Sequence, residues 1–209
     1  MEWHIFAVFM LIYLVGSFPT SILTCRLLKG IDIRAHGSGN AGATNVYRIM
    51  GFKVALFVLI VDALKGVFGV LAPGWFLSAA PLWQAMAGGL TAILGHVFTV
   101  FARFKGGKGV GTALGVFAAL LPGPTAVAFA IWILVLLLTR IVSAASMCAG
   151  MALAFSAGLF FHIGYVSSFS LVCFAGLIAV LIIVTHRSNI RRLLNGTENK
   201  IQFRRSSNP

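Results

Sequence analysis

GVFAALLPGPTAVAFAIWILVLLLTR, residues 115–140, decides the architecture, because two apolar runs meet there across Pro122, Gly123 and Pro124. Proline fixes φ and removes a backbone donor, so a helix cannot pass through this point undisturbed. As one kinked helix, the stretch gives the chain six apolar segments and both ends on the same side of a bilayer. As two helices, it gives seven segments and ends on opposite sides.

Composition makes the membrane the frame for that choice. The chain is 59% hydrophobic, only 10% charged, and has four carboxylates in 209 residues, so it cannot present the charged surface of a soluble domain. Apolar runs fall at about 3–24, 54–72, 83–101, 110–121, 125–139, 143–162 and 167–185. Several are shorter than the ~20 residues that cross a ~30 Å hydrocarbon core, so tilted or broken helices are expected. The predicted fold is all-α: one polytopic membrane helix bundle of about seven transmembrane helices over residues 1–209, with no separate soluble domain. The first run has Glu2 and no Lys or Arg ahead of it, and reads as a retained first span.

Lysine and arginine settle the count. With seven helices threaded alternately, one set of loops holds Arg26, Lys29, Arg34, Arg48 and Lys53, then Arg103, Lys105 and Lys108, then Arg140, then the tail from Arg187 onward. The opposite loops hold none. This asymmetry predicts an outside N-terminus and a cytoplasmic C-terminus, and favours seven spans over six. Much of the formal charge of +12 is thereby topology and attraction to anionic headgroups, not a nucleic-acid surface. The remaining base, Lys65, lies inside the second apolar run three residues after Asp62. The two share a helix face and are expected to pair, either as a structural ion pair or as part of a polar site.

Four polar segments then fall on the basic face: HGSGNAGATNVYR (36–48), GHVFTVFARFKGGKGVGT (95–112), TRIVSAAS (139–146) and THRSNIRRLLNGTE (185–198). Topology requires Lys and Arg there but not Ser, Asn and Gly. Arg48, Lys105, Lys108 and Arg187 or Arg191 supply cations; Ser38, Asn40, Thr44, Asn45, Ser143 and Asn189 supply hydrogen bonds; Gly37, Gly39, Gly42, Gly106, Gly107 and Gly109 bring backbone N–H groups close to a ligand. Such a set suits phosphate. Glu198 is the one acidic residue in these segments, with Asp32 shortly before the first, and His4, His36, His96, His162 and His186 show no metal spacing, so no metal and no cofactor is expected. His96 and His186 enter the basic face and could move a proton near neutral pH. Cys25, Cys148 and Cys173 read as packing residues.

Two familiar patterns fail. Gly37, Gly39 and Gly42 spell GxGxxG without a preceding strand, and Lys108 is followed by Gly109 where a nucleotide-binding loop needs Ser or Thr. Their shared physics survives, since glycines before a helix leave bare N–H groups at its positive end.

Residues 37–48, 95–112 and 186–198, with Asp62, Lys65 and the Arg140–Ser143 pair between them, resemble the signature segments of the bacterial acyl-phosphate:glycerol-3-phosphate acyltransferases, the PlsY family, in the same order along nearly the whole chain. Ala41 departs from the pattern, standing where proline is frequent. The resemblance implies a seven-helix enzyme of the bacterial inner membrane with its active site on the cytoplasmic face. It implies transfer of a fatty acyl group from acyl phosphate to the 1-hydroxyl of sn-glycerol 3-phosphate, giving lysophosphatidic acid and phosphate, the first step of phospholipid synthesis. Its partners would be those two substrates and membrane lipid, without nucleic acid or metal. By position in the motifs, Ser38, Arg48, Lys108, His186 and Asn189 are the expected catalytic residues. Gly37, Gly39, Asn40, Gly42, Thr44, Asn45, His96, Lys105, Gly106, Gly107 and Ser143 would bind substrate. No Asp or Glu is placed as a base, so the hydroxyl proton is expected to pass to a substrate phosphate oxygen or to His186. A carrier of phosphorylated metabolites is the competing class, but its polar groups should lie near the midplane rather than at one face.

Overall fold

A computed structural model describes residues 2–77 and 80–201. Those residues form ten α-helices and two short 3-10 turns, with no strand among them: α1 Glu2–Ser17, α2 Thr20–Lys29, α3 Ala43–Met50, α4 Phe52–Phe76, α5 Leu82–Val97, α6 Val110–Leu120, α7 Pro122–Thr139, α8 Val142–His162, α9 Phe169–Thr185 and α10 Arg187–Leu194. The deciding stretch makes two helices. Leu121 leaves the helical region at φ −141° and ψ 65°, and Pro122 begins α7, where its missing N–H costs nothing.

Five segments are long and apolar enough to cross a bilayer: Trp3–Lys29, Phe52–Phe76, Leu82–Ala102, Pro122–Thr139 and Val142–His162. A sixth arises if α9 and α10, bent by 60° at His186, count as one. The expected seventh is α6, whose 11 residues span only about 16 Å. It is short because the glycine-rich segment ahead of it stays unwound until Gly109, at φ +82°, turns into the helix. The first apolar run is likewise divided, at Phe18 and Pro19, into α1 and α2.

Burial is that of a bilayer protein. Leu137, Leu138 and Phe155 are 62%, 76% and 78% exposed, which in water would be a large unpaid apolar surface and in lipid is the ordinary outer face. The inner core gathers Val70, Ile93, Val116, Phe117, Phe174 and Ile178 from α4, α5, α6 and α9. Helices α4, α5 and α6 approach closely through small residues. A Cβ on Gly66 would strike the Thr112 carbonyl of α6, and one on Gly69 would lie 2.8 Å from the Gly88 carbonyl of α5. This tight trio fixes where α6 starts, and so where Lys108 stands.

Candidate functional site

The first polar segment is organised by Asn45. Its Oδ1 accepts from the Ser38 N–H at 2.9 Å, and its Nδ2 donates to the carbonyls of Ile33 at 3.1 Å and His36 at 2.9 Å. Asn45 is buried, so all three bonds are needed to satisfy its amide. Gly37 sits at φ +60°, and a Cβ there would run into Asn45 Oδ1, so both the conformation and the close approach demand glycine. The segment that holds little to bury is thus folded by one amide, and it ends at Gly42, the N-cap of α3. Arg48, one turn after Asn45, emerges from that helix half-buried. Its Nε is buried without a hydrogen-bond partner among the described residues.

Three further segments meet at a carboxylate. Glu198 Oε1 accepts from Ser143 Oγ at 2.8 Å and from Asn189 Nδ2 at 2.5 Å, while Oε2 accepts from Arg192 Nε at 2.6 Å. Asn189 Oδ1 in turn accepts from Lys108 Nζ. Arg48 Nη2 donates to the Asn199 carbonyl at 3.4 Å, and Ile201 N–H to the Arg140 carbonyl at 2.7 Å, so the tail lies across the ends of the other segments. Lys108 immediately precedes the Gly109 cap of α6, Ser143 lies in the first turn of α8, and Asn189 in the first turn of α10. Positive helix ends therefore converge with three cationic side chains, an arrangement that favours anions.

The electrostatics follow from that crowding. Burial first, then the charges of Arg192 and Arg48, push the Lys108 ammonium down to about 8, with Glu198 opposing. Glu198 is held below the usual carboxylate range, its burial outweighed by hydrogen bonds from Arg192, Asn189 and Ser143. His186, just past the end of α9, is pushed down to about 4, chiefly by burial and then by the charge on Lys108. Its Nδ1 lies 2.7 Å from the Ile182 carbonyl, so a neutral ring donates there and leaves Nε2 as a free acceptor.

Lys108, Asn189 and Ser143 are brought together, with Arg48 and His186 beside them in the same field. Ser38 is tied by its backbone N–H to Asn45 at the start of α3, and among the described residues no bond links it to that group. Thr44 is in the first turn of α3, and Asn40, Gly39 and Gly42 lie in the preceding turn. Two expected substrate ligands have another placement. Asn45 spends its whole amide inside its own segment. His96 is buried, with Nδ1 3.6 Å from Asp62 Oδ1 and Gly107 packed over its ring. Gly106 and Gly107 bend back to donate to the carbonyls of Val97 at 3.0 Å and His96 at 3.2 Å. Lys105 is exposed and its ammonium has no partner among the described residues. Sequence reasoning missed Glu198 and Arg192. The available signal was that Glu198 is the one carboxylate in the four polar segments and stands amid the densest run of bases.

A family model described as glycerol-3-phosphate acyltransferase matches residues 6–196. The chain is 48% identical to a glycerol-3-phosphate acyltransferase 2 of Bacillus anthracis, covering 90% of this chain and 95% of that one. It is 40% identical to a glycerol-3-phosphate acyltransferase of Chlorobaculum tepidum, covering 96% and 98%. The fold is similar to that of PlsY (YgiH), an integral membrane glycerol 3-phosphate acyltransferase, in crystal structures of its glycerol 3-phosphate form (TM-score 0.83) and its lysophosphatidic acid form (TM-score 0.81). Both are 38% identical to this chain over 95% of its length, covering 96% and 95% of theirs.

Proposed function

We infer the reaction from one premise: the chain belongs to the glycerol-3-phosphate acyltransferase family, as the PlsY proteins do, and is a membrane acyltransferase. From there we propose that the donor is acyl phosphate, that the acceptor is the 1-hydroxyl of glycerol 3-phosphate, and that the products are lysophosphatidic acid and phosphate, opening phospholipid synthesis. The observation that carries this reading is the meeting of Lys108, Asn189 and Ser143 from three distant segments, beside an Arg48 whose buried Nε has no acceptor among the described residues. A buried cationic donor without an acceptor fits a site shaped for a phosphate oxygen.

The acceptor hydroxyl attacks the acyl carbonyl carbon, a C–O bond forms, and the C–O bond to phosphate breaks with its electrons leaving on phosphate. Acyl phosphate is already activated, so the protein's work is to align two anions and stabilise charge. Lys108, Arg48 and the first turns of α6, α8 and α10 supply positive potential; Ser38, Thr44, Ser143 and Asn189 orient the phosphates and the carbonyl. The proton goes to the departing phosphate, which leaves as hydrogen phosphate. His186 is too weak a base at about 4 to hold it, and its role is to accept a hydrogen bond at Nε2. The residues at hand call for no metal and no cofactor.

A groove of about 490 Å³ between α1 and α4, lined by Leu14, Phe18, Leu64, Phe68 and Phe101 with Lys65 as its one charged residue, is nearly all apolar in surface and is proposed to seat the acyl chain. The distribution of basic residues supports seven crossings, with α6 as the short one, an outside N-terminus and the site on the cytoplasmic face of a bacterial inner membrane. Purified protein given acyl phosphate should release phosphate only when glycerol 3-phosphate is present, with equimolar lysophosphatidic acid. Hydrolysis without the acceptor, or no release at all, overturns the assignment; a carrier would give none.

A further inference from the structure

Asp62 and Lys65 are each 4% exposed in the middle of α4, the most apolar place available for charges, and no step above uses them. The bonding of the Lys65 ammonium is complete, and the contacts of Asp62 run through Oδ1. Lys65 Nζ donates to Asp62 Oδ1 at 2.7 Å, to Thr20 Oγ1 at 2.5 Å and to the Phe18 carbonyl at 2.6 Å, spending all three protons; Thr20 Oγ1 donates to Asp62 Oδ1 at 3.1 Å. Lys65 thereby adds a second donor to the Phe18 carbonyl, which also accepts from the Thr20 N–H at 2.9 Å where Pro19 divides α1 from α2. A buried pair of this kind adds little net stability over well-packed apolar residues, so stability alone is a weak reason for it.

What the pair touches is more telling. On one side, Asp62 Oδ1 faces His96 Nδ1 at 3.6 Å; the His96 ring lies under Gly107, and the His96 and Val97 carbonyls hold the Gly107 and Gly106 amides. On the other side, Asp62 packs on the start of α6, where a Cβ on Gly111 would come within 3.3 Å of Asp62 Cβ. Lys108 stands between these two contacts, one residue after Gly107 and three before Gly111. We propose that Asp62, held by Lys65 and Thr20, is a positioning residue that fixes the glycine segment at both ends through His96 and Gly111, and so sets where the Lys108 ammonium meets substrate. Only the kinetic part of this rests on the acyltransferase reading; the mechanical part does not.

The test uses the full-length purified protein in two measurements. Hydrogen exchange at the Gly106 and Gly107 amides reports the segment itself and needs no activity. In Asp62→Asn and in His96→Gln, those amides should exchange about tenfold faster or more, while α7 and α8 keep their protection. Turnover per folded enzyme should then fall on the order of 10²-fold in Asp62→Asn, the scale of a misplaced catalytic group, with kcat affected more than KM for glycerol 3-phosphate. His96→Gln leaves the Asp62, Lys65 and Thr20 bonds in place, so it remains informative if Asp62→Asn does not fold. Unchanged exchange in His96→Gln, or a loss that tracks only the folded fraction with kcat preserved, overturns the proposal. Faster exchange in the variants together with a wild type that transfers no acyl group leaves the positioning intact and refutes the function instead.

Discussion

Lys108 is the residue on which the electrostatics and the proposed chemistry meet, and titrating it separates them. Burial and the neighbouring Arg192 and Arg48 bring its ammonium from 10.5 to about 8. At pH 7 roughly nine-tenths of the enzyme carries the charge, and at pH 9 roughly one-tenth. Measured as phosphate release from acyl phosphate and glycerol 3-phosphate, kcat/KM should be flat to about pH 7 and fall about tenfold per unit above about pH 8. Lys108→Arg keeps a charge that does not titrate in this range, so it should work more slowly but lose the alkaline limb. Stability runs the opposite way. The folded pKa lies below the unfolded one, so below about pH 8 both states are protonated and the full cost of burying the charge stands. Between about 8 and 10.5 the unfolded chain holds more protons, and stability rises with pH. The gap corresponds to about 3 kcal/mol as an upper figure, at 1.36 kcal/mol per unit. Lys108→Met recovers that cost but leaves Asn189 Oδ1 without its donor, a loss of 1–3 kcal/mol. It should be as stable as wild type at pH 7, or up to about 2 kcal/mol more so, while activity drops by about 10²-fold or more. Superimposable alkaline limbs in wild type and Lys108→Arg would refute the argument, because a limb belonging to the substrates is common to both.

Glu198→Gln removes the one charge that raises the Lys108 titration, so the alkaline limb should move to lower pH; an unmoved limb would separate the tail from the site. Because Glu198 is held below the ordinary carboxylate range, wild type should also lose stability on acidification, as pH falls through its folded value, and Glu198→Gln should lose less, as thermal melts would register. Asn45→Ala strands the Ser38 N–H and the carbonyls of Ile33 and His36, and should cost about 2–3 kcal/mol in denaturation while raising KM for the phosphorylated acceptor. His186→Ala should slow turnover without changing the acid side of the pH profile, since the ring is neutral throughout the working range; a lost limb would restore the histidine as base.

The helices were legible in the chain because hydropathy is a local property. The bilayer requires apolar runs of a certain length, and Lys and Arg mark their ends. The break at Pro122 was legible for the same reason. The length of α6 was not, because an 11-residue helix in the bundle is set by how far the glycine segment stays unwound, which depends on His96 and Asp62 rather than on residues 110–120. The site divides along the same line. Its residue types could be picked out, since Ser, Asn and Gly in basic loops exceed what topology needs. Which of them are used up in holding their own segment could not. Asn45 and Asn189 look alike in one dimension, yet Asn45 is wholly used by Ser38, Ile33 and His36, whereas Asn189 bridges Lys108 and Glu198. Glu198 was the hardest to see, because a lone carboxylate beside three arginines reads as charge balance until the fold sets it against Ser143, 55 residues earlier. Its presence follows from the physics of the site. Lys108, Arg48 and Arg192 in one partly buried region repel one another, and a neighbouring carboxylate keeps Lys108 protonated near neutral pH, the state that its proposed contact with substrate phosphate requires.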